Sequence, residues 1–320
     1  MTVELPTLRA LAPAKINLGL FLGPLRESDS RHELVSVMQS ISLADELTLG
    51  PAPAGLLGDE LVCAGVPGRP EENLAARALR EFRQRTGWQA PPLRLTVEKR
   101  IPLAAGLAGG SADAAAALRL ARAVSGLGDE AVLLDIARSL GADVPAQVAP
   151  GRWLASGAGE LLERLPAPRV GFGILVLPAA FELSTAAVYA EADRLGLARE
   201  RPELARLHEE LASAFAQGAP LPAATELLHN DLQRAAVALH GEIAESLRTL
   251  GGAGASPALV SGSGPTAIGL FGRPREEGVT LARAAAAELG ERVPAAVTAV
   301  PVEASFGEPA PAETRPDAAG

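Results

Sequence analysis

Apolar and polar positions alternate through Ala14–Leu25 (AKINLGLFLGPL), Glu46–Leu49 and Leu93–Val97 (LRLTV). A period of two over such short stretches predicts three strands in the first third of the chain. At Asn73 the period lengthens. In NLAARALREFRQRTG, Leu74, Ala78 and Phe82 fall on one helical face, with Asn73 placed to cap the start and Gly87 to stop the end. Helices are expected over 111–125 and 129–140, the second ended by Gly141. A strand over 171–178 (GFGILVLP) follows the Pro-rich turn Pro166–Pro168, which sets the expected boundary between an N-terminal domain of residues 1–167 and a C-terminal domain of residues 168–306. The second half alternates helices (184–195, 202–216, 231–250, 276–289) with strands (257–261, 265–271, 296–302). This pattern reads as α+β rather than a doubly wound sheet. The tail 307–320, GEPAPAETRPDAAG, is expected to be disordered.

At 320 residues the chain suits two domains with well-buried cores. Its net charge of -9 argues against a nucleic-acid surface, so an anionic ligand would be held by local N–H groups and a few placed cations. The single cysteine, Cys63, excludes an internal disulfide framework, and four scattered histidines give no zinc spacing. Neither a signal sequence nor a long apolar span is visible. The expectation is a soluble cytoplasmic protein, a monomer or weak homodimer, with no dedicated metal site.

Three segments carry candidate chemistry. Ile101–Leu118 (IPLAAGLAGGSADAAAAL) runs a strand end through a Gly/Ala loop into a helix, where unpaired N–H groups, the helix dipole and Gly106, Gly109 and Gly110 suit a phosphate. The bland reading is tight helix–sheet packing. The loop lacks the lysine of GxxxxGK[ST] and the register of GxGxxG, which disfavours a P-loop NTPase or a dinucleotide-binding oxidoreductase. Ala12–Leu18 (APAKINL) places Lys15 and Asn17 on one side of a strand, either toward a site or as solvent-facing decoration of an edge. Val260–Thr266 (VSGSGPT) is a Gly-rich turn between two strands.

In this order and at these spacings the three segments resemble the GHMP kinase superfamily, over residues 8–305. Leu140–Pro145 (LGADVP), Asn73-Leu74, Asn230-Asp231-Leu232 and SGSGPT narrow the resemblance to the branch that phosphorylates diphosphocytidyl-methylerythritol. The resemblance implies a two-domain fold with Mg-ATP and the acceptor in the cleft between domains. It implies Asp143 as catalytic base, where a turn or helix cap is the bland alternative, and Lys15 as its partner. Pro102 and the loop Ala104, Ala105, Gly106, Leu107, Ala108, Gly109, Gly110 and Ser111 would wrap the triphosphate, Ser111 capping the helix and reaching phosphate or magnesium. Ala112 stands where relatives carry a second serine. Asn73 and Lys99 would lie near the nucleotide base and sugar, with helix capping an equal role for Asn73. Ser261, Gly262, Ser263, Gly264 and Thr266 would approach the acceptor's phosphates, and Asn17 its methylerythritol hydroxyls. At the cytidine end the resemblance points to His32, to Tyr189, the sole tyrosine, and to Arg31, which stands where an aromatic is expected. Other small-molecule kinases of the superfamily, of homoserine or mevalonate type, and a non-catalytic nucleotide binder are the alternatives.

Overall fold

The computed structural model describes residues 5–272, 276–290, 293 and 296–312. Two long strands organise the first domain. Strand β1 (Leu8–Leu25) and strand β2 (His32–Pro51) pair antiparallel along their length. They extend well beyond the stretches where alternation is visible. The reason is that β2 buries polar residues, Ser36, Gln39, Ser40 and Asp45, among its apolar ones, which masks the period.

The chain continues through β3 (Glu60–Val62), α1 (Leu74–Thr86), β4 (Leu93–Glu98), α2 (Gly109–Ser125), α3 (Glu130–Leu140), α4 (Val144–Val148), β5 (Arg152–Ser156) and β6 (Leu161–Arg164). Strand β2 pairs with β4 through its last residues and with β5 through Ser36–Gln39, so two branches of one sheet diverge from it. Helix α1 starts at the Asn73 cap, whose side chain accepts from Ala75 N, and stops at Gly87 in the left-handed region (φ 66°). Both signals act as the sequence predicts. Helix α2 lies against this sheet with Ala114 to Ala117 and Ala121 wholly buried, and side chains this small let neighbouring backbone approach from several sides.

The second domain is built from β7 (Gly173–Leu177), α5 (Thr185–Arg194), α6 (Arg201–Phe215), α7 (Gln233–Leu239), α8 (Glu242–Gly252), β8 (Ala258–Val260), β9 (Ala267–Phe271), α9 (Glu276–Leu289) and β10 (Val297–Ala299). Its strands form an antiparallel sheet in the order β10-β7-β9-β8. The helix expected over 231–250 is two helices: His240 turns to an extended conformation (φ -139°, ψ 102°) and stacks on Phe181 at 4.4 Å, and Gly241 begins α8. One apolar cluster spans both sheets, joining Ile16 and Val37 to Ile174, Ile268 and Phe215 of α6. Shared burial of this kind fixes the two domains against each other.

The expectation of disorder from residue 307 fails for its first six residues. Gly307 is buried, and β11 (Ala310–Pro311) pairs with Leu8 and Arg9 at the edge of β1. Their Pro and Ala content suits an edge partner that needs few donors. Residues 313–320 lie outside the described residues.

Candidate active site

The cleft between the domains encloses about 780 Å³. Its floor on one side is the loop before α2. Ala104 (φ 50°), Gly106 (φ 73°) and Ala108 (φ 56°) all adopt the left-handed region, two of them at a cost for a residue with a side chain. Left-handed residues set between ordinary ones turn successive N–H groups toward one concave face, an anion-binding arrangement. The first helical bond of α2 runs from Ala112 N to Ala108 O, so the N–H groups of Gly109, Gly110 and Ser111 have no intrahelical acceptor. Entry through Ala108 starts the helix two residues before Ser111, which therefore sits inside the first turn and does not cap it. Its place on the cleft wall is kept. Leu107 does not line the cleft with its side chain, which is buried in the core, and its carbonyl accepts from Lys15 N at 3.1 Å.

Lys15 and Asn17 share the cleft side of β1. Lys15 Nζ donates to Asn17 Oδ1 at 3.0 Å, Asn17 Nδ2 to Ser36 Oγ at 2.7 Å, and Ser36 Oγ to the Gly19 carbonyl at 2.7 Å. This relay fixes the lysine's direction and assigns the amide orientation of Asn17. Lys15 Nζ also lies 3.7 Å from Asp143 Oδ2, whose side chain is 41% exposed while that of Lys15 is 10% exposed. Asp143 occupies the cap position of α4, yet its carboxylate makes no capping bond. It is left facing the cleft, and among the described residues it is the only carboxylate residue on the cleft lining.

Lys99 is committed to a buried network. Its ammonium bonds the carboxylate of Asp45 and, at 2.7 Å, that of Asp113, while Asp45 Oδ1 accepts from Arg100 N (2.6 Å) and Ile101 N (2.8 Å). Burial alone would lower the lysine's pKa, but Asp113 and Asp45 more than offset it and the net direction is upward. Burial pushes the Asp113 carboxyl up to about 7 against the pull of Lys99. Lys99 still reaches the cleft wall beside Gly109, so it both anchors the strand end that feeds the loop and borders the cleft. Asn73 does not line the main cleft. Its side chain is spent on the α1 cap and it borders a smaller adjoining cavity of about 170 Å³.

Opposite lies the turn after β8. Gly262, Ser263 and Gly264 line the cleft, whereas Ser261 and Thr266 are wholly buried and do not. Ser261 turns inward to donate to the Gly106 carbonyl at 3.3 Å. Asn230 secures the turn, donating to Val260 O and Gly262 O at 2.7 Å each, and Ser263 Oγ meets Thr185 Oγ1 at 2.9 Å. The far end is formed by Arg31, His32 and Tyr189. His32 Nδ1 lies 2.8 Å from the Gly23 carbonyl, an acceptor only, so in the neutral ring Nδ1 carries the proton. The other ring nitrogen is buried with no hydrogen-bond partner, the Asp193 carboxylate standing 3.1 Å away but out of alignment. Tyr189 packs against this ring at 5.5 Å, and burial together with Asp143 pushes its hydroxyl up to about 12. Arg31 reaches along the rim to donate to Ala158 O at 2.7 Å. Sequence reasoning missed Ser36, Thr185, Asp45 and the hairpin around Ala158 and Gly159, which join the site only through pairing distant in the chain.

Comparison with known proteins agrees with this geometry. The model of the GHMP kinases N-terminal domain matches residues 73–151, and that of the GHMP kinases C-terminal domain matches residues 208–292. The 4-diphosphocytidyl-2-C-methyl-D-erythritol kinase of Salinispora tropica is 43% identical over 263 residues, covering 81% of this chain and 82% of that protein. Its counterpart from Streptomyces coelicolor is 41% identical over 260 residues, covering 79% and 84%. A crystal structure of 4-(cytidine 5'-diphospho)-2C-methyl-D-erythritol kinase superposes with a TM-score of 0.72 at 33% identity, over 92% of this chain and 98% of that one. A homoserine kinase from Cytophaga hutchinsonii shares the fold, with a TM-score of 0.69 at 16% identity. With relatives of this closeness over most of both chains, the chain belongs to the GHMP kinase family, in its 4-diphosphocytidyl-2-C-methyl-D-erythritol kinase branch.

Proposed function

We propose that this protein transfers the γ-phosphoryl group of ATP to the 2-hydroxyl of 4-diphosphocytidyl-2-C-methyl-D-erythritol, giving the 2-phosphate and ADP in isoprenoid precursor synthesis. One observation carries the reading: Asp143, a cleft carboxylate free of capping duty, stands 3.7 Å from a buried lysine whose backbone N–H bonds the glycine loop. Asp143 takes the proton of the hydroxyl as that oxygen bonds to the γ-phosphorus and the bond to the β–γ bridging oxygen breaks. Lys15 steers the carboxylate and offsets charge gathering on the phosphoryl oxygens. Free N–H groups of the loop and of α2 hold the triphosphate without reorganising.

Magnesium would enter with the nucleotide. Among the described residues no group of three metal-ligating side chains exists, and Asp143 and Ser111 of the cleft lining would hold it together with the phosphates and water. When bound, the metal would offset charge on the phosphate oxygens.

At the other end, the imidazole of His32 offers a polar edge for the cytosine, and Tyr189 with Arg31 offers flat surfaces for the base. A cytoplasmic reaction, where nucleotide substrates are available, goes with this reading. The test is phosphorus NMR of the protein with Mg-ATP and diphosphocytidyl-methylerythritol, with mevalonate and homoserine alongside, in wild type and Asp143→Asn. A new phosphomonoester with the cytidine substrate alone is expected, slowed ~10²–10⁴-fold in the variant with nucleotide affinity kept. Product from a simple alcohol instead would discard the acceptor, and unchanged turnover in the variant would discard the base.

A further inference from the structure

Asp143 heads a helix of only five residues, so its position depends on what holds the rest of α4. Two side chains do this. Gln147 donates from Nε2 to the Pro13 carbonyl at 3.0 Å and accepts at Oε1 from Ser40 Oγ at 3.3 Å. Pro13 precedes Lys15 by two positions and Ser40 is the cross-strand partner of Lys15. Arg119 of α2 holds the other end, donating to the carbonyls of Gln147 at 2.5 Å and Val148 at 3.5 Å.

The remaining donors of Arg119 leave α4 altogether. They go to the carbonyls of Leu11 at 2.8 Å and Gly307 at 2.9 Å. One rigid, planar cation thus ties the lysine's strand, the carboxylate's helix and the C-terminal segment. That segment is itself fastened at both sides. Pro311 and Ala310 pair with Leu8 and Arg9, and Ala312 N donates to Thr7 O at 3.0 Å. Gly307 sits against the guanidinium so closely that a Cβ there would lie 2.9 Å from Arg119 Nη2 and 3.2 Å from Leu11 O.

We propose that Ala304–Ala312 is a positioning strap for the catalytic carboxylate: it holds Arg119 in one orientation, and Arg119 holds α4 so that Asp143 stays over Lys15. Arg119 is a positioning residue, since it does not line the cleft. The proposal rests on the reading of Asp143 as proton acceptor. Removing the strap leaves an Arg119 donor without its acceptor and frees the guanidinium to drift, and α4 with it. Displacement of a catalytic group by an ångström lowers turnover by up to ~10²-fold while ligand contacts elsewhere persist.

The experiment compares steady-state kinetics of wild type, a chain ended after Ala312, a chain ended after Glu303, Gly307→Ala and Asp143→Asn, each well below its melting temperature. Ending after Ala312 is expected to keep kcat. Ending after Glu303 and Gly307→Ala are each expected to lower kcat ~10-fold or more with the KM for ATP within about twofold. A synthetic peptide of residues 304–312 is expected to restore kcat to the shortened chain, which a loss of general stability would not predict. Wild-type kcat in Gly307→Ala, or equal loss of kcat and nucleotide affinity, overturns the strap; should the shortened chain fail to fold, Gly307→Ala decides. Full activity of Asp143→Asn overturns the base assignment instead, so the two failures are separable.

Discussion

Gly106 and Gly264 meet backbone to backbone where the two domains close the cleft: a Cβ on Gly106 would lie 2.6 Å from the Gly264 carbonyl oxygen, and 2.6 Å from that of Ser261. Neither obstacle is a movable side chain. Gly106 also holds φ at 73°, where a side chain is strained. The loop before α2 in one domain and the turn after β8 in the other are therefore a single packed unit.

Gly106→Ala is expected to cost at least ~2 kcal/mol of stability from strain and forced separation together. It should also raise the KM of both substrates, because parting the loops moves both half-sites. Thermal unfolding and initial-rate kinetics check this. An unshifted melting curve, or a rise confined to one substrate, would show the contact to be incidental.

Asp113 makes stability depend on pH. Its carboxyl is raised from 3.8 to about 7 by burial, so between those values the folded chain holds a proton that the unfolded chain releases. With more protons bound in the folded state, stability falls as pH rises through that window. Asp113→Asn removes this contribution. Its melting temperature is expected to decline less than that of wild type between pH 5 and pH 7, and parallel profiles would count against the buried carboxyl as the cause.

Tyr189 lines the end of the cleft far from the loop before α2, so its proposed role at the base can be tested apart from nucleotide binding. Stacking of a base on an aromatic ring contributes ~1–3 kcal/mol, so Tyr189→Ala should raise the acceptor KM ~10- to 100-fold. The KM for ATP should stay within about twofold. Isothermal titration with CDP, a fragment bearing the same base, provides an independent reading, and undiminished CDP affinity would remove Tyr189 from the base site.

Much of this was legible in the sequence where the signal is local. Asn73 and Gly87 bound α1 because capping chemistry depends on adjacent backbone alone. The family resemblance carried by the Lys15 strand, the glycine loop and LGADVP implies one site for Lys15, the loop and Asp143. What stayed hidden depends on distant partners. Ser is a good cap, which makes Ser111 the expected start of α2, but the left-handed turn at Ala108 starts the helix earlier. Leu107 and Ser261 belong to loops whose cleft and core faces alternate within a few residues, and no periodicity reports which way each turns. The buried polar residues of β2 erased its alternation, and their partners, Lys99, Gln147 and Asn17, lie far away in the chain. Residues 307–312 have the composition of a disordered tail, and only the edge of β1 and the guanidinium of Arg119 give them a place.

The pairing of β11 with β1 joins Leu8 to Pro311 and so closes nearly the whole chain into a ring. The entropy of closing a loop grows only with the logarithm of its length, so this contact is thermodynamically cheap, but non-local pairing is slow to form. Chain synthesis produces the strand bearing Lys15 first and its edge partner only after the entire second domain. During translation, that edge of β1 is open to other strands until its own partner emerges, which makes the interval a window for mispairing and chaperone engagement.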